Sequence, residues 1–195
     1  MRKEQITGLI LAGGKALRMG GSNKGLITFK GQSMVAHVIY RLNPQVGEIL
    51  INANREIERY QSLGFTVITD EISQFAGPLA GLHAGMSAAK TEFLLSVPCD
   101  SPLLPEDLSP RLMAALEAQK ADIAVAKTGE QHHPVFCLCR TSLAQDLENY
   151  LNAGGRKVDQ WQKQHAYVEV NFDDNPLAFS NINTPEDLSK LEGES

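Results

Sequence analysis

Four short apolar runs, separated by segments with helical spacing, constrain the fold of this chain most strongly. The runs are ITGLIL at residues 6–11, GEILIN at 47–52, FTVIT at 65–69 and EFLLSV at 92–97. They lack the apolar–polar alternation of strands that have one face in water, and instead are typical of strands covered on both sides. The pattern therefore predicts a parallel sheet built from βαβ units, with right-handed crossovers and helices on its faces.

The segments between and after these runs predict the helices and the remaining strands. Ser33 is the expected N-cap of a helix over 34–42, and Pro44 marks its end. Further helices are predicted over 55–63, 78–90, 105–119, 141–152 and 157–164, with Thr184 capping a last one, and further strands over 123–126, 135–139 and 167–170. Because 195 residues suit one α/β domain and neither a repeat nor a linker is visible, residues 1–195 are predicted to form a single domain.

Charge and hydropathy exclude several classes of function. A chain with a net charge of −5 is unsuited to binding the phosphate backbone of a nucleic acid by charge, so we expect no nucleic-acid partner. The polar start of the chain and the lack of 18 consecutive apolar residues predict neither a signal peptide nor a membrane span, and favour a cytoplasmic location. The three cysteines, Cys99, Cys137 and Cys139, have no CxxC spacing and are expected to be reduced and buried.

The loop after the first apolar run is the most informative stretch for chemistry. It reads LAGGKALRMGGSNK from Leu11 to Lys24. Glycines let backbone amides approach phosphate oxygens closely, and Lys15, Arg18 and Lys24 add positive charge. The stretch is neither a GxxxxGK[ST] loop nor a GxGxxG fingerprint. Its place after a buried strand predicts a different polyphosphate-binding loop, at the carboxyl edge of the sheet.

Carboxylate and amide side chains are predicted at the same edge. Asp70 follows the run at 65–69, and Asp100 follows the run at 92–97 inside the tight PCDSP turn. Carboxylates beside a triphosphate require a cation between them, and Mg²⁺ takes one or two carboxylates together with phosphates and waters. Asn52 and Asn54 end the second run, where they fit a base or ribose contact and a turn equally well.

Taken together, these motifs resemble those of the molybdenum cofactor guanylyltransferases, the MobA family. The resemblance covers about residues 6–188, in the family's order and spacing. The motifs that carry it are LAGG at 11–14, RMG at 18–20, Lys24, NANR at 52–55, GPLAG at 77–81, PCDSP at 98–102, HP at 133–134, GR at 155–156 and NINTPE at 181–186. The first motif is shared by many nucleotidyltransferases, and the later ones narrow the resemblance to the molybdenum-cofactor group.

The resemblance implies a three-layer α/β sandwich with a mostly parallel sheet and a Rossmann-like N-terminal half that binds GTP. It implies Mg²⁺ as cofactor, GTP and Mo-molybdopterin as substrates, and molybdenum-insertion proteins or cofactor chaperones as candidate partners. By matched position, the GTP-binding residues are Leu11, Ala12, Gly13, Gly14, Lys24, Asn52, Asp70 and Asp100. The catalytic residues are Arg18, Lys24 and Asp100, with Asp100 also the metal ligand. Arg156, Asn181 and Asn183, in the C-terminal half, face the pterin.

The sequence departs from the family pattern at one position, where Asn23 stands in place of the aspartate that usually precedes the lysine. The expected reaction is in-line attack by the terminal phosphate of molybdopterin on the α-phosphorus of GTP. Because a phosphate nucleophile is already ionised, the site needs positioning and charge neutralisation rather than a strong base. Two alternatives stay open: a CTP- or UTP-dependent transferase acting on a related cofactor or a sugar phosphate, and a non-catalytic GTP-binding adaptor.

Overall fold

A single seven-stranded sheet organises the chain. The computed structural model describes residues 3–13, 24–72 and 77–179. Its strands are β1 Ile6–Leu11, β2 Thr28–Phe29, β3 Gln32–Ser33, β4 Glu48–Asn52, β5 Thr66–Ile68, β6 Phe93–Pro98, β7 Ile123–Thr128, β8 Gln131–Arg140 and β9 Tyr167–Asn171. Its α-helices are α1 Met34–Leu42, α2 Ile57–Gln61, α3 Pro78–Ala88, α4 Leu108–Gln119, α5 Ala144–Asn152 and α6 Val158–Gln162.

The strands lie in the order β5-β4-β1-β6-β8-β7-β9, and only β8 within this sheet runs against the others. The parallel half, from β5 to β6, is built from the four apolar runs of the sequence. In register, Leu11 at the end of β1 lies between Asn52 of β4 and Pro98 of β6. The carboxyl ends of these three strands therefore reach the same edge of the sheet at the same level.

Helices cover both faces of the sheet and divide the core in two. On one face α1 and α4 pack on the sheet through residues such as Val38 and Leu112. On the other face α3, α5 and α6 contribute buried residues such as Leu82, Leu147 and Trp161. This arrangement confirms the predicted three-layer α/β fold with a mostly parallel sheet.

The chain changes direction between β1 and β6. After β1 the chain passes through α1 to β4, toward the β5 edge of the sheet. After β6 it passes through α4 to β7, toward the β9 edge. Strands whose following connections diverge in this way leave a crevice at their carboxyl ends, which is where open α/β sheets bind ligands. The fold therefore predicts a crevice at the carboxyl ends of β1 and β6, where residues 12–13 follow β1 and Cys99 and Asp100 follow β6.

Several predicted boundaries were wrong for local reasons. α2 starts at Ile57 because Glu56 adopts a left-handed conformation with φ of 54°, and α4 starts at Leu108 rather than at Pro105. The predicted strands at 123–126 and 135–139 are parts of a longer hairpin, β7–β8. A small hairpin, β2–β3, was not predicted because two-residue strands carry too little periodicity. The predicted helix after Thr184 lies outside the described residues.

No helix within residues 3–13, 24–72 or 77–179 is both long and apolar enough to cross a membrane.

Candidate active site

The crevice between β1 and β6 begins with a segment of the glycine-rich loop held by backbone hydrogen bonds. The Cys99 amide donates to the Leu11 carbonyl at 3.1 Å, and the Ala12 amide donates to the Asn52 carbonyl at 2.8 Å. Leu11 and Ala12 are therefore held between the ends of β4 and β6 by the backbone alone. Of the predicted loop residues, Gly14, Arg18 and Asn23 lie outside the described part of the chain.

The structure brings Lys24 and Asp100 together across this crevice. The Lys24 Nζ lies 3.4 Å from Asp100 Oδ2, and the two side chains are 25% and 14% exposed. Partial burial reduces screening by water, so the attraction is greater than that of a fully exposed pair. A carboxylate and an ammonium group therefore lie side by side where the sequence predicted metal and phosphate binding.

A missing side chain explains how Lys24 can lie so close to the end of β6. A Cβ atom built on Gly25 would lie 2.8 Å from the Tyr60 hydroxyl oxygen, closer than real Cβ atoms approach, and in a tight contact of 3.0 Å with Cys99 Sγ. Glycine at this position lets the chain after Lys24 pack directly on Cys99. The residue next to Asp100 is thus a packing surface for the residue next to Lys24.

Cys99 is buried, as the sequence predicted, and its chemistry fits a packing role. Burial, and then the neighbouring Asp100 carboxylate, raise the pKa of the Cys99 thiol to about 12. Since only the thiolate is a nucleophile, this side chain stays protonated and unreactive at neutral pH.

A second polar cluster, formed by Asn52, Asn54 and Asp70, lies beside the same loop. Asn52 Nδ2 donates to Asp70 Oδ1 at 2.9 Å, and Asn54 Nδ2 donates to Asp70 Oδ2 at 2.8 Å. The Asp70 amide in turn donates to Asn54 Oδ1 at 2.9 Å. A Cβ atom on Gly13 would lie 3.1 Å from Asn54 Nδ2 and 3.2 Å from Asn52 Oδ1, so the loop passes directly over both amides.

Helix α3 closes the cluster from the other side. A Cβ atom on Gly81 would contact Asn52 Oδ1 and would lie 2.6 Å from Leu11 Cδ2. The GPLAG motif therefore includes a glycine without which the helix could not lie on Asn52. Asn52 is only 2% exposed, whereas Asn54 lies at the surface.

The structure places Arg156 in a different setting, after the end of α5. Its Nη1 atom donates to the Leu151 carbonyl at 3.1 Å and to the Gly155 carbonyl at 2.6 Å. These bonds shape the turn between α5 and α6. The other predicted pterin-facing residues, Asn181 and Asn183, lie outside the described residues.

The histidine of the HP motif takes part in an aromatic cluster that the sequence did not predict. His133 Nε2 lies 2.8 Å from the Thr128 hydroxyl, and the ring stacks on Phe179 with centroids 4.7 Å apart. Burial lowers the pKa of His133, which keeps the ring neutral. The contact joins residues 46 positions apart, and no periodicity in the sequence signals such a pair.

Comparisons with known proteins show what the chain is similar to. Residues 8–168 match the model of the MobA-like NTP transferase domain. A protein of Shewanella sp. (strain W3-18-1) named molybdenum cofactor guanylyltransferase is 53% identical, over 96% of this chain and 95% of its own. A protein of the same name from Ralstonia pickettii is 51% identical over 95% of each chain.

The fold also matches a solved structure, the molybdopterin-guanine dinucleotide biosynthesis protein A of Archaeoglobus fulgidus. The TM-score is 0.78, with 96% of this chain and 97% of that chain covered. At 23% sequence identity this likeness shows a common fold.

Proposed function

Because the chain belongs to the family of MobA-like NTP transferases, we propose that it is a molybdenum cofactor guanylyltransferase. It transfers GMP from GTP to the terminal phosphate of Mo-molybdopterin, giving the guanine dinucleotide cofactor and pyrophosphate. The observation that carries the proposal is the Lys24–Asp100 pair, 3.4 Å apart in the crevice between β1 and β6. This pair places one cation and one carboxylate where a bound triphosphate needs both.

The residues at the crevice fit a metal ion that arrives with the nucleotide. Nucleotidyltransferases of this kind generally use a divalent metal. Within residues 3–13, 24–72 and 77–179, no three His, Cys, Asp or Glu side chains group closely enough to hold a metal by themselves. Mg²⁺ usually takes one or two protein carboxylates and completes its shell with phosphates and waters, and Asp100 supplies such a carboxylate. When bound, Mg²⁺ would neutralise charge on the phosphate oxygens.

The remaining groups position the two substrates. The backbone of residues 11–14 would hold the phosphates, and Asn52 and Asp70 would contact the guanosine. Lys24, together with Arg18, would stabilise the leaving pyrophosphate, since both side chains are basic. The attacking phosphate is ionised at neutral pH, so the site works without a general base.

The pterin substrate is assigned to the second half of the molecule. Arg156, Asn181 and Asn183 would bind molybdopterin, while the first half binds GTP, within a single domain over 1–195. Molybdenum-insertion proteins or cofactor chaperones are the partners that would supply or receive the cofactor. A cytoplasmic location stays a prediction from the sequence.

Label transfer tests the reaction directly. With Mg²⁺, Mo-molybdopterin and GTP labelled on the α-phosphate, the label should appear in the dinucleotide product, whereas label on the γ-phosphate should appear in pyrophosphate. Asp100→Asn should abolish both. The matched control is Asp122→Asn, since Asp122 precedes β7 at the opposite edge of the sheet, 3.5 Å from Arg140, and its loss should leave transfer unchanged.

Two results would contradict the proposal. Release of the γ-label as inorganic phosphate would show hydrolysis instead of nucleotidyl transfer. Full transfer by Asp100→Asn would show that the carboxylate at the crevice has no part in the reaction.

A further inference from the structure

Three hydrogen bonds join Asp70 to two asparagines, and two of them are donated to its carboxylate. Asn52 binds Oδ1, and Asn54 binds both Oδ2 and the Asp70 backbone amide. Asn54 therefore contacts Asp70 at two points and closes a small ring with it. The proposed function gives Asn52 and Asp70 a contact with the guanosine and gives Asn54 no role.

Without such partners, a carboxylate of this kind would rotate. The terminal torsion of an aspartate is broad and weakly restricted. One donor on each oxygen fixes the plane of the group, because turning it would break both bonds. An ionised carboxylate has about four acceptor positions, so each Asp70 oxygen retains capacity for a further donor.

The surroundings make one side of this arrangement rigid and leave the other side adjustable. Asn52 is 2% exposed and lies against Gly13 and Gly81, so its amide cannot move without displacing the loop or α3. Asn54 is exposed, and Asp70 is partly buried. The hydrogen bond to Asp70 Oδ2, on the solvent side of the cluster, thus depends on Asn54.

Two fixed acceptors in one plane select for a partner with two adjacent donors. Guanine presents this pair on its Watson–Crick edge, through the N1–H and the 2-amino group. Cytosine and adenine place a ring acceptor beside their amino group, and uracil has one N–H between two carbonyls. Carboxylate recognition therefore favours guanine only if the plane of the carboxylate is set.

We propose that Asn54 is a positioning residue for base selection, which holds the Asp70 carboxylate in the orientation that accepts the two adjacent donors of guanine. The inference rests on the proposed use of GTP. It assigns part of the nucleotide preference to a residue that acts through Asp70.

The test compares binding of GTP and inosine triphosphate by calorimetry, using the full chain with Mg²⁺. Inosine triphosphate keeps the N1–H and lacks the 2-amino group. Wild-type protein should bind GTP about tenfold more tightly, as expected for one hydrogen bond to a charged group. In Asn54→Ala the ratio of the two affinities should fall close to one. A merely structural defect would weaken the binding of both nucleotides equally and leave the ratio of their affinities unchanged.

A second variant tests the mechanism through pH. Asn54→Asp keeps the size of the side chain but replaces the donor with a carboxylate, and two adjacent carboxylates raise the pKa of one of them. At pH 7.5 the ratio of the affinities for GTP and inosine triphosphate should be low in this variant. It should rise as the pH falls, because a proton shared between the two carboxylates restores a hydrogen-bond donor to Asp70. Because both nucleotides carry the same triphosphate, titration of the phosphates does not affect the ratio.

Asn43→Ala is the control for the loss of an exposed asparagine, because Asn43 lies at the opposite edge of the sheet. It should retain the wild-type ratio, and the melting temperature of each variant shows that it is folded. An Asn54→Ala protein with the wild-type ratio would overturn the inference, and so would a wild-type protein that binds both nucleotides equally. A wild-type protein that binds CTP in preference to GTP would instead contradict the proposed function.

Discussion

Replacing Gly81 with alanine should weaken GTP binding without unfolding the protein. The new methyl group would contact Asn52 Oδ1 and lie 2.9 Å from Asn52 Cγ, inside the distance that real Cβ atoms keep. Because Asn52 is 2% exposed, it has little free space to move into. The displaced amide would release Asp70 Oδ1, to which its Nδ2 now donates at 2.9 Å.

The free energies expected for Gly81→Ala predict a small loss of stability and a larger loss of GTP binding. Overpacking a core costs about 1–3 kcal/mol, and alanine gains up to about 1 kcal/mol over glycine inside a helix. The free energy of unfolding should therefore fall by roughly 0–2 kcal/mol, which leaves a typical domain folded. Once Asp70 is released, guanine would lose a hydrogen bond to its carboxylate, and such a bond to a charged group contributes about 1.5–3 kcal/mol. Since about 1.4 kcal/mol corresponds to a tenfold change, GTP affinity should fall about tenfold or more.

Gly85→Ala is the matched control, because Gly85 lies one turn further along α3. Its methyl group would lie 2.5 Å from Leu9 Cδ2, in the core and away from the crevice. Urea unfolding should show similar destabilisation of both variants, and calorimetry should show weakened GTP binding in Gly81→Ala alone. Equal losses of GTP affinity in the two variants, or wild-type affinity in Gly81→Ala, would show that the contact between Gly81 and Asn52 does not support GTP binding.

Four further predictions follow from the described contacts. Lys24→Ala should weaken GTP binding about tenfold or more by removing the ammonium group beside Asp100, and unchanged affinity in calorimetry would contradict this prediction. Arg156→Ala should raise the KM for Mo-molybdopterin and spare GTP binding; the reverse pattern would show that the two substrates are wrongly assigned. Cys99, with its pKa raised to about 12, should react with iodoacetamide at pH 8 far more slowly in native than in unfolded protein, as followed by peptide mass spectrometry. The hydrogen bond from Arg111 lowers the pKa of Asp174, so its contribution to stability is present at neutral pH and is lost as the pH falls through the lowered pKa. Acid unfolding below about pH 4 should therefore be less steep in Arg111→Ala, and an unchanged slope would contradict this.

The parallel half of the fold could be predicted because its signal is local. Four apolar runs form β1, β4, β5 and β6 within one or two residues of their predicted bounds, and β1, β4 and β6 are buried along most of their length. The second half was predicted less well, since β8 runs antiparallel and pairs with both β6 and β7. A long antiparallel strand in a mostly parallel sheet depends on contacts across the sheet, which local periodicity does not contain.

The candidate site was predictable where strand ends determine position. Leu11, Asn52 and Pro98 share one level of the sheet, so the residues that follow them had to meet. The sequence could not show that Gly25 packs on Cys99, or that Gly81 leaves room for Asn52, because both depend on a contact between distant segments. It also left Asn54 undecided between a turn and a ligand contact, and the structure adds its two bonds to Asp70.

Nucleotide preference in the complete reaction is the most direct test of guanylyl transfer by this protein. Purified protein would be incubated with Mg²⁺, Mo-molybdopterin and one of GTP, CTP, ATP or UTP, and pyrophosphate release would be measured. The proposed guanylyltransferase should release pyrophosphate with GTP alone. Release with CTP or UTP instead, or no release from a protein that still binds GTP, would show that the protein is not a guanylyltransferase.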